Sequence, residues 1–290
     1  MVRTLLQEPE TRDARFQTSN KKQENEKVMG FKITILNDNT AGKRTAAEYG
    51  LSFLVEGQEG SYLFDPGPSD IALRNAKVLG IDLKDAADTI VLTHGHWDHG
   101  NGLEYFSDKK LITHPASFTE RYNRVNGHYN GLPLTQDEAA EKFTLQFTRE
   151  PLEVMYDHLF LGEIPRLNDF EAKTSSSVDA KGNEDFIPDD SAVVVTTEKG
   201  VVIITGCSHS GICNIITYAK KITGEEHIHA VIGGFHLRKD DVVLDRTIDF
   251  LKEERIDLLY PSHCTALPAL AKMYEEFGIK QVLTGQEYWF

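Results

Sequence analysis

The segment Thr93-His94-Gly95-His96-Trp97-Asp98-His99-Gly100 places three imidazoles and one carboxylate within the stretch 94–99. Imidazole nitrogen and carboxylate oxygen together are ligands for zinc, and also for iron, manganese or cobalt. His94 and His96 are two residues apart, so they face the same way from an extended segment. Asp98 and His99 are adjacent and face differently. One ion cannot easily use all four groups, but two neighbouring ions can. A pair of ions roughly 3.5–4 Å apart activates water and stabilises both attacking and leaving oxygens of a displacement. A His-rich surface turn is the alternative. It fits poorly, because the run continues directly from the apolar stretch ADTIVLTH (87–94).

Three later segments have the same character: Thr205-Gly-Cys-Ser-His209-Ser-Gly-Ile, Gly233-Gly-Phe-His236-Leu and Pro261-Ser-His263-Cys264-Thr. Each follows an apolar, β-branched run and so carries its polar tip to the end of a strand. His236 is open between a metal ligand and an acid or substrate contact, since histidine with an ordinary pKa of about 6.5 suits either proton role. His114, His128, His158, His227 and His229 lack such a setting and read as structural or surface residues, with His128 and His158 also able to reach a pocket. Cys207 is either a thiolate ligand or a buried structural thiol, and the second reading is favoured. Cys213 reads as a buried helix residue.

The elements that must position these groups are legible in outline. Residues 31–36, 51–56 and 61–65 read as strands, 70–79 as a helix stopped by Gly80, and 87–94 and 111–114 as strands. Residues 191–206 (SAVVVTTEKGVVIITG) give two strands around a Glu-Lys-Gly turn. Residues 212–222 form a helix, 229–234 a strand, 256–260 a strand, 266–277 a helix and 281–285 a last strand. Residues 115–188, with scattered Asn, Gly and Pro and the biased run TSSSVDAKGNED, read as an insertion that shapes a pocket. Trp97, Phe118, Tyr122, Tyr129 and Phe235 are candidate stacking surfaces, each individually reading more readily as core packing. Strand-rich first and strand–helix alternating second halves imply an α/β sandwich of two sheets flanked by helices. Residues 1–28 are polar and mixed in charge and read as a disordered tail, leaving 29–290 as one domain.

The 290 residues carry 31 basic and 45 acidic side chains, a formal charge of −14. That balance argues against nucleic acid or an anionic membrane as the principal partner. It leaves room for an anionic small molecule, because bound divalent cations dominate their local field. No apolar run approaches the roughly 18–20 residues of a membrane span. The absence of a secretory signal pattern and the odd count of three cysteines lead to the expectation of a cytoplasmic protein.

The HxHxDH pattern of His94, His96, Asp98 and His99, with the later His-bearing tips, resembles the signature of the metallo-β-lactamase superfamily over about residues 31–285. The resemblance implies an αββα sandwich of two mixed sheets with the metals at the edge between them. It implies metal ligation by His94, His96, Asp98, His99, His209 and His263, two divalent ions (zinc foremost, with iron or manganese as alternatives), and Asp65 as the partner that orients a ligating His. Where many relatives carry a bridging Asp, this chain has Cys207, so the bridging group departs from the pattern. The three later tips further resemble a dihydropteroate-synthase-like, dihydropterin-related subgroup of metallo-hydrolases. The implied activity is metal-dependent hydrolysis or transfer at a phosphoester, pyrophosphate or acyl centre of a small, anionic or pterin-like molecule, with Asp98 and His236 as catalytic groups. No Gly-x-Ser-x-Gly elbow, phosphate-binding loop or dinucleotide fingerprint competes. The alternatives are di-iron redox chemistry on the same fold and a non-catalytic ligand sensor.

Overall fold

The computed structural model describes residues 30–290. The expected N-terminal tail at 1–28 lies outside the described residues. In chain order the first half runs β1 (Lys32–Asn37), β2 (Ser52–Glu56), β3 (Ser61–Phe64), α1 (Ile71–Leu79), α2 (Leu83–Ala86), β4 (Thr89–Val91), α3 (Trp97–Gly100), β5 (Lys109–Thr113), β6 (Arg121–Asn123), α4 (Gln136–Lys142) and β7 (Phe143–Phe147). The second half runs β8 (Leu152–Met155), β9 (His158–Phe160), β10 (Ser177–Asp179), β11 (Glu184–Asp185), β12 (Ala192–Thr197), β13 (Gly200–Thr205), α5 (Ile212–Thr223), β14 (Ile228–Gly234), α6 (Val242–Glu254), β15 (Leu258–Ser262), α7 (Leu267–Phe277) and β16 (Glu287–Trp289).

Two mixed sheets face one another, ordered β16-β1-β2-β3-β4-β5-β7 and β15-β14-β13-β12-β9-β8. Their shared core holds Phe53, Phe64, Val193, Val202, Ile204 and Ile232. The outer face of the second sheet packs under α5, α6 and α7, and that of the first under α1, α2 and α4. β13 shows why: Val202 and Ile204 face the sheet interface while Val201 and Ile203 face the helices. A strand buried on both faces reads as an unbroken apolar run. The result is the expected αββα sandwich.

Two expectations change. Residues 143–160 are not part of an insertion, because β7 pairs in parallel with β5 in the first sheet and β8 and β9 close the second. Polar residues of β7, such as Thr144 and Gln146, weaken the strand pattern, since β7 and β8 are edge strands and β7 has one face near solvent. What lies outside the two sheets is built around a small third sheet, β11-β10-β6. Residues 281–285 are a turn, with Gly285 at φ 85°, where only glycine is unstrained. The terminal strand is Glu287–Trp289, antiparallel to β1. No helix of the described residues is long and apolar enough to cross a membrane.

Parallel pairing decides where the polar tips go. β3 and β4 are parallel in one sheet, and β13, β14 and β15 are parallel in the other. Their C-terminal ends therefore meet at one edge of the sandwich.

Candidate metal centre

Each strand tip turns sharply as it delivers its side chain. Asp65 after β3, Ser208 after β13, His236 after β14 and His263 after β15 all have φ between 49° and 59°. Side chains other than glycine seldom adopt this left-handed conformation, and such strain persists where the surrounding structure enforces it. Gly95 is required for a different reason: a Cβ there would lie 1.7 Å from the Ser117 carbonyl oxygen.

The structure gathers the six residues expected to bind metal into two buried groups. His94, His96 and His209 form one; Asp98, His99 and His263 form the other, joined by Cys207. In the first, the Nε2 atoms of His94 and His209 lie 3.0 and 3.1 Å from His96 Nδ1. In the second, His99 Nε2 lies 3.0 Å from His263 Nε2 and 3.1 Å from Cys207 Sγ, and His263 Nε2 is 3.3 Å from Asp98 Oδ2. Zinc with ligands at about 2.0–2.1 Å in a tetrahedron holds neighbouring nitrogens roughly 3.3 Å apart. The nitrogen spacings match the edge of such a tetrahedron.

The surroundings fix which ring nitrogens carry protons. Asp65 Oδ2 accepts from His99 Nδ1 at 2.7 Å and from the Thr93 hydroxyl at 2.8 Å. Thr93 Oγ1, its proton committed to Asp65, can only accept from His94 Nδ1, 2.9 Å away. Asn39 Oδ1 accepts from His263 Nδ1 at 3.2 Å. His94, His99 and His263 are thus left with Nε2 lone pairs directed into the two groups. The lone pairs of His99 and His263 face each other at 3.0 Å, an arrangement that repels unless a cation or proton lies between. His96 Nε2 is buried without a hydrogen-bond partner, while its Nδ1 meets two imidazoles. The donor set fits divalent cations.

The electrostatics agree. Burial, with the charge of neighbouring groups, keeps His94 and His209 neutral and pushes His96 down to about 3, Arg121 adding to the effect at His96. Burial opposes ionisation of Asp98, but His99 and His263 outweigh it and hold its carboxyl well below the usual range. Burial likewise opposes protonation of His99, but Asp65 and Asp98 prevail and raise its pKa. Burial, then Cys264 and Asp98, push the Cys207 thiol upward, and a cation in the same group acts in the opposite sense.

A network invisible to local reading holds the motif loop. The buried Arg121 donates to Asp185 Oδ2 at 2.9 Å and to both oxygens of Asp189 at 2.9 and 2.7 Å. Asp189 Oδ2 in turn accepts from the Gly95 backbone N–H at 2.7 Å. Asp190 accepts from the Ser210 N–H and hydroxyl, bracing the turn that carries His209. Asn39, Arg121, Asp189 and Asp190 were not singled out by sequence. They are common residue types in loops, and only their long-range pairing reveals them. Cys207 had a signal, because it stands where relatives carry a ligating Asp. Cys207 is a free, buried thiol, and its Sγ also lies within the second donor group.

The donors open on a cavity of about 620 Å³ lined by His96, Asp98, Cys207 and His209. Its wall includes Tyr49, Trp97, His128, Tyr129 and Arg238, with Asn101, Asn123, Asn126 and Asn130. Trp97 and Tyr129 are therefore placed as candidate stacking surfaces. Phe118 packs against the core under the first sheet, Tyr122 meets Tyr129 edge-on, and Phe235 is core of the second sheet. His236 belongs to neither donor group; its ring lies 4.3 Å from that of His209, centroid to centroid. His114 and His158 are structural, bonded to Glu163 and Tyr62, and His227 and His229 pair with Asp257. All three cysteines are free and buried.

An αββα sandwich that concentrates imidazole, carboxylate and thiol donors at one strand edge is the architecture of a divalent-metal-binding protein. The family model for the Metallo-beta-lactamase superfamily matches residues 46–263, and the chain belongs to that superfamily. It is 36% identical over 249 residues to an uncharacterized protein of Methanocaldococcus jannaschii, covering 83% of this chain and 93% of that one. It is 33% identical over 278 residues to the 7,8-dihydropterin-6-methyl-4-(beta-D-ribofuranosyl)-aminobenzene-5'-phosphate synthase of the same organism, covering 87% and 93%. Among solved structures it resembles Tm1679, a metal-dependent hydrolase of the β-lactamase superfamily, with TM-score 0.80 and 31% identity over 89% of this chain and 98% of the other.

Proposed function

We propose that this protein is a dinuclear metal-dependent hydrolase or group-transfer enzyme acting on a phosphoester, pyrophosphate or acyl centre of a small anionic substrate. The observation that carries the reading is the division of the buried donors into two adjacent groups at the floor of one cavity. His94, His96 and His209 would hold one divalent ion; Asp98, His99, Cys207 and His263 would hold the other. Bound cations of this kind supply Lewis acidity and a water activated near neutral pH. Nitrogen and thiolate donors favour zinc, ahead of iron or manganese.

The chain's own residues do the rest. Asp65, Thr93 and Asn39 hold three imidazoles in the tautomer that presents Nε2, and this outer support fixes the site before substrate arrives. Asp98, kept ionised and lining the cavity, is the carboxylate placed to take a proton there. Burial and Arg238 push His236 down to about 3, so the neutral ring is the form present near neutral pH. It accepts from Arg238 at 3.2 Å, which suits a contact to substrate or leaving group. Arg238 offers its guanidinium to an anionic substrate at the cavity wall. Amide side chains and aromatic rings on the remaining wall suit a planar, hydrogen-bonding ring, and the relationship to a synthase named for a dihydropterin-containing product supports a pterin-like substrate and the dihydropterin-related subgroup. A synthase among the relatives keeps transfer beside hydrolysis. The cytoplasm is the proposed location.

The test is metal quantification on purified protein followed by turnover of phosphodiester, pyrophosphate and lactone substrates. About two ions per chain and activity lost on chelation are expected. A fully active metal-free His96→Ala/Asp98→Ala protein would sink the reading.

A further inference from the structure

A second cavity of about 460 Å³ lies beside the first, and the two share Ser176, His209 and Arg238. His236 lines only the second, whereas Asp98 and Cys207 line only the first. Phe170, Phe186, Phe235 and Leu237 give the second cavity apolar walls. Its lining carries the cations Lys173, Arg238 and Lys239 and the acids Glu171 and Asp241. Both oxygens of Glu171 are committed to the Cys213 and Asn214 backbone N–H groups at the start of α5, and one also accepts from Asn168. Asp241 caps α6 by accepting from the Val243 and Leu244 N–H groups. The cations Lys173, Arg238 and Lys239 are exposed residues of the same lining, with Lys173 Nζ donating to the Asn168 carbonyl at 2.7 Å and Arg238 donating to His236 at 3.2 Å. Three cations thus stand against two acids whose carboxylates are held at helix starts.

We propose that this second cavity binds an amphipathic anion: an apolar, ring-bearing body ending in a phosphate or carboxylate. The apolar walls take the body by removing its surface from water. Lys173, Arg238 and Lys239 take the charged end. Arg238 belongs to both cavities, so one ligand can span them, with the reacting centre over the donor groups and the non-reacting half in the second cavity. Binding energy from that half holds the reacting centre in place. The spanning role rests on the proposed function; the cavity's ligand chemistry does not.

The test is calorimetric titration of the purified, metal-loaded protein with phenyl phosphate, benzoate, phenol and inorganic phosphate. Phenyl phosphate and benzoate should bind, with phenol and inorganic phosphate weaker by about tenfold or more. A tighter phenyl phosphate assigns a phosphate terminus; a tighter benzoate assigns a carboxylate. In the Lys173→Ala/Lys239→Ala protein both affinities should fall about tenfold with the melting temperature unchanged. In the His96→Ala/Asp98→Ala protein benzoate affinity should hold within about twofold. Binding that vanishes in the His/Asp variant and ignores the lysines would put the anion on the metal donors and overturn the proposal. Lysine-dependent binding in a protein without turnover would leave the cavity assigned and defeat the proposed function instead. Turnover of a small phosphodiester, with no lysine dependence of binding, would defeat the cavity alone.

Discussion

The second sheet carries histidine–carboxylate groups at both ends of its parallel strands, and only one end directs free lone pairs at a common centre. At the N-terminal end, His227 and His229 flank the start of β14 and Asp257 precedes β15. These three also lie close enough to share an ion. Yet Asp257 Oδ2 accepts from His227 Nε2 at 3.0 Å and His229 Nδ1 at 2.9 Å, so the group satisfies itself. Half of the His227 side chain is in water. At the C-terminal end, the outer nitrogens of His94, His99 and His263 are committed, and the inner lone pairs of His99 and His263 face one another. Residue types are nearly the same at both ends. What differs is whether the outer hydrogen bonds leave lone pairs with nothing to bind except a cation.

The comparison breaks most decisively under paired substitutions. His96→Ala/Asp98→Ala should abolish bound metal and lower kcat/KM by on the order of a thousandfold or more. His227→Ala/His229→Ala should change neither. Mass-spectrometric metal analysis and steady-state kinetics check both, and metal lost from the surface variant alone would invert the argument. Asp65→Asn tests the outer support. It keeps the side chain's shape but removes the carboxylate that fixes His99, so metal affinity should fall about 10–100-fold in a chelator competition.

His158 is a third kind of histidine, buried beside Tyr62 with no donor group near it. Burial pushes it down to about 4. The unfolded chain takes up this proton below about pH 6.5, the folded protein only below about 4. Stability from the neutral ring is therefore present above pH 6.5 and lost as pH falls toward 4. Between pH 7 and 5 the loss should be about 2 kcal/mol. Denaturant unfolding of His158→Gln at both pH values should show that component removed; an unchanged pH slope would refute it. The smallest effect is expected at the surface group, where His227→Ala should move stability by no more than about 0.5 kcal/mol in the same assay.

Much of this was legible before folding was considered. The run 94–99, the three later His-bearing tips and the unbroken apolar strands before them identify the donors and the sandwich, because strand alternation and ligand chemistry are local properties. The edge strand β7 was obscured by polar residues on a half-exposed face. The turn at 281–285 hid behind Val282 and Leu283, which are apolar because the loop packs onto the core rather than because it pairs; Val282 is core of the sheet interface.

Residue identity and spacing along the chain determined which groups could bind cations and which strands would carry them. Only the tertiary structure decided how those groups divide, that Cys207 joins Asp98, His99 and His263, and that Arg121 reaches Asp189 to hold Gly95. The reason is geometric: these contacts join strand tips and loops distant in sequence, and their distances are set by parallel pairing and sheet stacking, which no local pattern encodes.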